Sequence, residues 1–255
     1  MTTLNATTLK DRTALVTGAS RGIGAAIAAD LAAAGARVAV NYNRSPDRAR
    51  EVAGGISSGG GRAMLVQADV GAPADVQRMF DEVEAAWGPV DILVNNAGIE
   101  HRKPPAGFTE ADYDAMMDTN LKGAFFAAQR ALEPMKARGW GRVINISSVH
   151  ELTPTGFCAV YSMTKGGMLM MMRELALVYG PFGVTVNNVC PGAIRTDINR
   201  EVLADPAYEA KVTAKIPARF IADPQDVAAL VTFLASPMAR YITGASLFVD
   251  GGLSL

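Results

Sequence analysis

Cysteine and histidine are both scarce in this chain, which contains two of each among 255 residues. Cys158 and Cys190 form no close pair in the sequence, and no cluster of cysteine and histidine has the spacing of a zinc site. The sequence therefore predicts neither a disulfide scaffold nor a metal site. A reducing, cytoplasmic setting is the simplest account.

Net charge and long hydrophobic runs are nearly absent as well. The formal net charge of -1 gives no general attraction to nucleic acid or to an anionic membrane. The longest uncharged stretch, residues 175–194, is interrupted by asparagine, proline and glycine, whereas a membrane helix needs about 20 mostly apolar residues. The first residues show no basic segment followed by an apolar core, so we expect no signal peptide. We expect neither nucleic acid nor membrane as a partner.

What the chain does have is a regular alternation of short β-branched runs with longer alanine-rich or amphipathic segments. We predict strands at residues 13–17, 37–41, 63–68, 91–95, 142–146, 184–189 and 246–249. We predict helices at residues 22–34, 46–56, 74–87, 159–179 and 223–234, one or two more within 110–138, and a glycine loop at 54–61. This alternation predicts an α/β fold, a single domain over residues 1–255 with a doubly wound parallel sheet and helices on both faces.

A glycine-rich loop follows the first predicted strand, with the spacing Gly-x-x-x-Gly-x-Gly. Glycine there permits a tight turn and close backbone approach to a pyrophosphate, and the unpaired N–H groups at the start of the next helix point at the anion. Such turns also occur for purely geometric reasons. We interpret the loop as a dinucleotide site formed by Gly18, Ser20, Arg21, Gly22, Ile23 and Gly24.

The end of the second predicted strand bears on the choice of cofactor. An NAD enzyme usually places a carboxylate there to bind the ribose hydroxyls, but this chain has Asn41 and no carboxylate through residue 45. Arg21 or Arg44 could pair with a 2′-phosphate, although both could equally be solvated surface charges. The missing carboxylate favours NADP without excluding NAD.

Polar residues also follow the third and fourth predicted strands, where open α/β sheets bind ligands. They are Asp69 with Val70, and the run Asn95-Asn96-Ala97-Gly98. We interpret Asp69, Val70, Asn96, Ala97 and Gly98 as cofactor-binding. In the alternative interpretation, Asp69 caps the next turn and Asn95 satisfies backbone groups at the strand end.

The most specific local feature is the pair Tyr161 and Lys165, which share one helix face. A free tyrosine has a pKa of about 10, and a nearby ammonium favours the phenolate, so the pair could act as a base. Ser148 follows the fifth predicted strand, and its hydroxyl could hold a substrate oxygen beside the phenol. Asn120 lies within a predicted helix, where it could divert a backbone carbonyl or hold a water.

Taken together, these residues resemble the short-chain dehydrogenase/reductase family. The resemblance spans essentially the whole chain and comprises, in family order, TGASRGIG at 17–24, Asp69, NNAG at 95–98, Asn120, Ser148, YxxxK at 161–165 and PGAIRT at 191–196. It implies a single Rossmann-like domain with a seven-stranded parallel sheet and an NAD or NADP cofactor.

The resemblance also implies a role for each residue. Tyr161 would be the general acid/base, Lys165 would bind the nicotinamide ribose and lower the tyrosine pKa, Ser148 would stabilise the reacting oxygen, and Asn120 would support a proton relay. Further cofactor contacts would come from Asp69 and Val70 at the adenine and from Pro191, Gly192, Ile194 and Thr196 toward the nicotinamide. Residues 195–215 would form a mobile substrate lid. The methionine-rich helix at 159–179 and its pairing within the family predict a homotetramer.

Two stretches, NNAGIE and INISSVHE, resemble the glucose 1-dehydrogenase branch of bacterial sugar dehydrogenases. They make Glu100 and His150 candidate substrate residues beside Ser148 and Tyr161, because a sugar offers several hydroxyls to polar groups. The favoured interpretation is oxidation of an aldose at its anomeric carbon to the lactone. Two alternatives stay open: a reductase of 3-oxoacyl thioesters on acyl carrier protein, and a non-catalytic nucleotide-binding regulator on the same fold.

Overall fold

A computed structural model describes Asn5, residues 8–197 and residues 204–255 of the chain. One parallel sheet holds seven strands in the order β3-β2-β1-β4-β5-β6-β7. The strands are β1 (Thr13–Val16), β2 (Arg37–Tyr42), β3 (Arg62–Gln67), β4 (Ile92–Asn95), β5 (Gly141–Ile146), β6 (Val184–Pro191) and β7 (Ser246–Val249). The predicted doubly wound parallel sheet is confirmed.

Eight α-helices connect the strands within the described ranges. They are α1 (Gly22–Ala33), α2 (Pro46–Ser58), α3 (Pro73–Trp87), α4 (Glu110–Met116), α5 (Gly123–Arg138), α6 (Ala159–Tyr179), α7 (Pro206–Lys215) and α8 (Pro224–Ala235). A π-helical segment, Met117–Lys122, joins α4 to α5. No helix in the described part of the chain is long and apolar enough to cross a membrane.

The sheet is buried on both faces, because successive side chains of a strand point to opposite sides. In β1, Ala14 and Val16 join the core beneath α1, α2 and α8, whereas Leu15 joins the core beneath α3, α5 and α6. The other central strands alternate in the same way. This two-sided burial explains why the strands read as continuous apolar runs.

The strand order reverses between β1 and β4, since β2 and β3 lie on one side of β1 and β4 to β7 on the other. The loops that leave β1 and β4 therefore diverge, and a crevice opens at their carboxyl ends. The predicted motifs in the loops after the strands lie at this carboxyl edge of the sheet, whereas Asn120 lies in the π-helical segment and Tyr161 and Lys165 lie in α6.

Two local predictions differ from the structure. The predicted helix at 46–56 and the predicted glycine loop at 54–61 overlap at Gly54 and Gly55, and both glycines lie in α2, which continues to Ser58; side chains added there would meet nothing within 4 Å, so no packing opposes the helix. The chain turns only at Gly60, which has a φ of 82°. Within the predicted lid, helix α7 was not predicted, and residues 198–203 lie outside the described residues.

Candidate active site

The glycine loop after β1 is shaped by contacts with the loop after β4. Gly18 has a φ of 62°, and a Cβ added at Gly24 would lie 2.4 Å from the Asn96 side-chain nitrogen. Asn96 donates hydrogen bonds to the carbonyl oxygens of Thr17 and Gly18 at 2.9 and 3.1 Å. Helix α1 then begins without any side-chain cap on its first turn. The loop and the uncapped helix N-terminus fit a pyrophosphate.

The Asn41 side chain, a candidate cofactor contact at the end of β2, is bonded within the protein. The side chain is 1% exposed, accepts a hydrogen bond from the Gly18 N–H at 3.0 Å, and donates to the carbonyl oxygens of Val66 and Ala68 at 3.3 Å. These bonds use both ends of the amide, so Asn41 holds the glycine loop against β3 and does not face a ribose. By contrast, Arg21 and Arg44 are exposed. Neither makes an ion pair within the described ranges, and both are able to meet a phosphate.

At the ends of β3 and β4, the structure supports the alternative interpretation of two residues. Asp69 Oδ1 accepts a hydrogen bond from the Gly71 N–H at 2.9 Å, so this carboxylate closes a turn. Asn95 donates to the Ala124 carbonyl oxygen and to Asn145 Oδ1 at 3.2 and 3.0 Å. Val70 and Ala97 lie in the same loops, where Val70 is buried and Ala97 donates its N–H to the Thr17 hydroxyl at 3.1 Å.

The PGAIRT motif brings the end of β6 to the opposite side of the crevice. Gly192 donates its N–H to the Val249 carbonyl oxygen at 3.0 Å, and Ile194 is 3% exposed. The Thr196 methyl carbon would lie 3.5 Å from a Cβ added at Gly22. Thr196 therefore lies against the glycine loop, and Pro191 ends β6 beside Val249 of β7.

Asn120 is fully buried in the π-helical segment. Its Oδ1 accepts a hydrogen bond from the Ile99 N–H at 2.8 Å, and its Nδ2 donates to the Ile99 carbonyl oxygen at 2.9 Å and to the Thr164 hydroxyl at 3.3 Å. It also borders Gly98, where an added Cβ would lie 3.4 Å from Oδ1. Single-turn π segments are frequent at functional sites, and this one turns Asn120 inward toward α6.

Lys165 is 3% exposed, and its Nζ donates a hydrogen bond to the Ile146 carbonyl oxygen at 2.8 Å. The ammonium lies 5.3 Å from the centroid of the Tyr161 ring, so the predicted pair is brought together. Burial lowers the pKa of Lys165 from 10.5 to about 8, opposed by the charges of Cys190, Glu151 and Glu100.

The predicted lowering of the tyrosine pKa is not seen. Burial raises the pKa of Tyr161 above its ordinary value, the Glu100 carboxylate adds to the increase, and a hydrogen bond with Ser148 opposes it. The Lys165 ammonium faces the ring and is itself desolvated, so it does not overcome these effects. In the ligand-free protein Tyr161 therefore holds its proton, which suits an acid more than a base.

Ser148 and His150 lie beside the phenol. Ser148 is 7% exposed, its hydroxyl oxygen accepts a hydrogen bond from the His150 N–H at 3.1 Å, and its hydroxyl hydrogen is available for the bond with the Tyr161 oxygen. The His150 ring stands edge-on to the Tyr161 ring, with centroids 6.0 Å apart. Its Nδ1 lies 2.9 Å from the Thr153 carbonyl oxygen, so we assign the hydrogen to Nδ1, and Nε2 is an acceptor in the neutral ring.

Glu100 lies in the same polar cluster, with two residues that sequence reasoning missed. Arg102 donates to both Glu100 oxygens, at 2.9 and 3.3 Å, and the Cys158 thiol donates to Oε1 at 3.0 Å. Although burial acts to raise it, these bonds lower the pKa of Glu100 overall. Hydrogen bonding to Glu100 raises the pKa of Arg102, and Tyr208 of α7 contributes, so part of the predicted lid lies close to the cluster.

A family model described as enoyl-(acyl carrier protein) reductase matches residues 18–254 of this chain. Among characterised relatives, 3beta-hydroxysteroid dehydrogenase 1 of Eggerthella lenta is 42% identical over 97% of this chain and 95% of its own length. L-rhamnose 1-dehydrogenase (NAD(P)(+)) of Azotobacter vinelandii is 41% identical over 96% and 97%. Glucose 1-dehydrogenase 2 of Bacillus subtilis is 39% identical over 97% and 96%.

The fold has close counterparts among solved structures. A gluconate 5-dehydrogenase from Burkholderia cenocepacia, solved in complex with NADP and tartrate, superposes with a TM-score of 0.92 at 37% identity and covers 98% of both chains. The sequence relatives and this structure agree in family, and they differ in the alcohol that each is named for.

The depressed pKa of Lys165 predicts a pH-dependent stability. Because its folded pKa of about 8 lies below the unfolded value of 10.5, the unfolded chain binds more protons between these values, and stability rises with pH there. We expect the free energy of unfolding of wild type, relative to Lys165→Met, to increase by about 2 kcal/mol from about pH 7 to about pH 9.5.

Urea unfolding at the two pH values measures this difference. Lys10→Met, which removes an exposed lysine, is the control. If the difference in unfolding free energy between wild type and Lys165→Met is the same at the two pH values, Lys165 is not desolvated in the folded protein.

Proposed function

Since the chain belongs to the short-chain dehydrogenase/reductase family of NAD(P)-dependent oxidoreductases, we propose that it oxidises an aldose at the anomeric carbon to the lactone. The observation that carries this proposal is the polar cluster of Glu100, Arg102, His150 and Cys158 beside Tyr161. Polar groups that converge on the reacting oxygen suit a substrate with many hydroxyls.

The residues divide the reaction between them. Oxidation requires Tyr161 as its phenolate, which would form once the cationic oxidised nicotinamide is bound beside it and the phenol proton has left through the path at Asn120. Tyr161 Oη then accepts the proton of the anomeric hydroxyl while the anomeric C–H bond breaks, and Ser148 donates its hydroxyl hydrogen to the anomeric oxygen. A bound nicotinamide supplies the acceptor for the hydride. Lys165 binds the nicotinamide ribose, and Asn120, already bonded to Thr164 one turn from Tyr161, supports the path by which the proton leaves.

The net charge of this polar cluster bears on whether the sugar substrate is neutral or anionic. Arg102 neutralises Glu100 through a two-pronged ion pair, in which the Glu100 side chain is 10% exposed. A substrate carboxylate would therefore meet no unpaired cation there, whereas sugar hydroxyls can donate to the paired carboxylate and to His150 Nε2. This charge balance supports a neutral aldose over a sugar acid.

A second candidate is the secondary alcohol of a steroid, which the 42% identical hydroxysteroid dehydrogenase favours. Leu152 and Phe157 are 63% and 59% exposed on the segment between Ser148 and α6. They would give a flat apolar substrate a surface to cover. A 3-oxoacyl thioester reductase remains the third possibility, and the family model carries the name of an acyl carrier protein enzyme.

A substrate panel tests the proposal: neutral aldoses, an aldonic acid, a 3-hydroxysteroid and a 3-oxoacyl thioester. We expect kcat/KM to be highest for a neutral aldose, and His150→Leu to lower it by about tenfold because one substrate hydrogen bond is lost. His101→Leu is the matched control, since that ring pairs with Asp112 instead.

Tyr161→Phe should abolish turnover and leave cofactor binding intact.

Higher kcat/KM for the steroid or the thioester than for every aldose would replace the proposed substrate. Substantial turnover by Tyr161→Phe would remove the proposed mechanism.

For the cofactor, we propose that the enzyme uses both NADP and NAD, with NADP equal or better. The exposed Arg21 and Arg44 border the glycine loop and the end of β2, and no carboxylate stands there to repel a 2′-phosphate. Arg21→Ala or Arg44→Ala should reduce kcat/KM for NADP about tenfold or more and leave NAD use unchanged.

Arg50→Ala is the control for this comparison, because Arg50 of α2 already pairs with Asp47. If wild type strongly prefers NAD, or if neither Arg21→Ala nor Arg44→Ala weakens NADP use, the interpretation of this region is wrong.

We also propose a homotetramer. Met163, Met170 and Leu177 recur at every seventh position of α6, so they share one helix face, and they are 53%, 53% and 76% exposed. Arg173 and Glu174 lie between Met170 and Leu177 on this face, and three exposed apolar side chains flanked by charges fit a second copy of the helix better than water. Light scattering at micromolar concentration should give about four times the chain mass, and a monomeric mass would reject the proposal.

A further inference from the structure

Glu151 is a buried carboxylate that the proposed chemistry does not use. It ends the short 3-10 helix Val149–Glu151, which begins directly after Ser148, and it is 8% exposed. A carboxylate is rarely buried unless it is paired, because its charged form loses hydration. The hydrogen-bond partners of the Glu151 carboxylate therefore indicate its role.

One oxygen of this carboxylate is well bonded and the other is not. Oε2 accepts hydrogen bonds from the Ser147 hydroxyl at 2.7 Å and from Asn188 Nδ2 at 3.1 Å. Oε1 is buried and has no hydrogen-bond partner in the part of the chain that the structure describes. The Cys190 thiol gives the carboxylate a further, weaker hydrogen bond, and burial together with the Glu151 charge and this bond raises the pKa of that thiol. An apolar residue would avoid the cost of burying Oε1, so stability alone does not account for Glu151.

Glu151 is also the end of a row of amides that crosses three strands. Asn95, Asn145 and Asn188 are neighbours in the register of β4, β5 and β6. Asn95 donates to Asn145 Oδ1 at 3.0 Å, Asn145 donates to Asn188 Oδ1 at 2.9 Å, and Asn188 donates to Glu151. Asn95 donates at the start of the row, and Asn145 and Asn188 each accept from one neighbour and donate to the next, so the row has a direction. An ionised carboxylate, which only accepts, is its natural end.

Ser147 connects this row to the reacting groups. It stands between Ile146, whose carbonyl oxygen holds Lys165, and Ser148. Its N–H donates to the Val189 carbonyl oxygen at 2.8 Å and its hydroxyl donates to Glu151, so both of its polar donors are anchored. The position of this residue sets the direction of the Ile146 carbonyl and of the Ser148 side chain.

We propose that Glu151 is a positioning residue for the reaction: it holds Ser147 so that the Ile146 carbonyl stays on the Lys165 ammonium and the Ser148 hydroxyl stays beside Tyr161. This inference rests on the proposed oxidoreductase function for its effect on turnover, but not for its effect on Lys165.

The carboxylate also contributes to the charge around Lys165. The groups that face Lys165 are Tyr161 on its own helix, Cys190 on β6, Glu100 after β4 and Glu151, and the Glu151 charge favours the protonated lysine. Loss of this charge would let Lys165 lose its proton at lower pH. Lys165 is proposed to contact NADPH. As the pH rises, the affinity for NADPH would therefore begin to fall at a lower pH than in wild type.

Two variants separate the hydrogen bonds of Glu151 from its charge. Glu151→Gln keeps the shape and removes the charge, whereas Ser147→Ala removes the bond to the turn and keeps the charge. We expect each to lower kcat by about tenfold with KM for the alcohol little changed, as the loss of one charge-assisted hydrogen bond would. Glu133→Gln is the matched control, because Glu133 also accepts a bond from a hydroxyl, that of Tyr179, far from Tyr161.

NADPH binding, followed by its fluorescence from about pH 6 to about pH 10, gives a readout that needs no alcohol substrate. We expect the pH at which affinity falls to move downward in Glu151→Gln and to stay in place in Ser147→Ala and Glu133→Gln. Near-UV circular dichroism measures the folded fraction of each variant.

The proposal is overturned if kcat is unchanged in both Glu151→Gln and Ser147→Ala, or if their loss of kcat equals their loss of folded protein. Absence of turnover with every alcohol of the panel would end the proposed function instead. In that case the pH dependence of NADPH binding decides the inference: a downward shift in Glu151→Gln supports it, and no shift overturns it.

Discussion

The hydrogen bond from Lys165 to the Ile146 carbonyl oxygen fixes the geometry of the whole site. An ammonium that is almost fully buried needs a strong acceptor, and the end of β5 provides one at 2.8 Å. This bond sets α6 across the carboxyl end of the sheet. Tyr161, one turn earlier on the same helix face, then lies beside Ser148, which follows β5 by two residues. Strand end, helix and reacting groups are thus connected by a single contact.

The same edge of the sheet contains an unusual amount of buried polarity. Three asparagines on β4, β5 and β6 are buried among strands that are otherwise mostly apolar, and a buried carboxylate in the turn after β5 joins them. Their hydrogen bonds are nearly complete, which makes the arrangement rigid, and rigidity at this edge keeps the reacting groups in place. The exception is Glu151 Oε1, which has no hydrogen-bond partner among the described residues. This atom lies next to the turn that contains Ser148. The proposed role of Glu151 in positioning Ser148 accounts for a buried carboxylate at this place better than core packing does.

Much of the fold could be predicted because local pattern and global structure agree. β-branched runs became buried strands, and α6 has the predicted bounds of residues 159–179. The failures occurred where tertiary contacts decide the outcome. Asn41 turns inward because Gly18 and the end of β3 offer it three partners, and no local pattern in the sequence records those contacts.

In the candidate active site, too, the sequence pattern predicted which residues lie together, but not how their surroundings change their chemistry. Spacing was enough to place Tyr161 next to Lys165, but it could not reveal that burial acts more strongly on the phenol than the lysine charge does. Arg102 and Cys158 carried no sequence signal, because their role depends on the loops after β4 and β5 meeting in space. Glu151 stood at the end of a recognised motif, and only its burial and its two donors distinguish it from a solvated charge.

The electrostatic environment of Tyr161 has a chemical consequence. A phenol whose pKa is raised holds its proton until positive charge is brought close to its oxygen, and the nearest cation, Lys165, is desolvated and faces the ring instead. Glu100 would oppose ionisation further if Arg102 did not neutralise it. The Glu100–Arg102 pair therefore limits the negative charge that the phenol experiences. The proposed neutral substrate would leave this balance in place, whereas an anionic substrate would add negative charge beside the phenol and raise its pKa further.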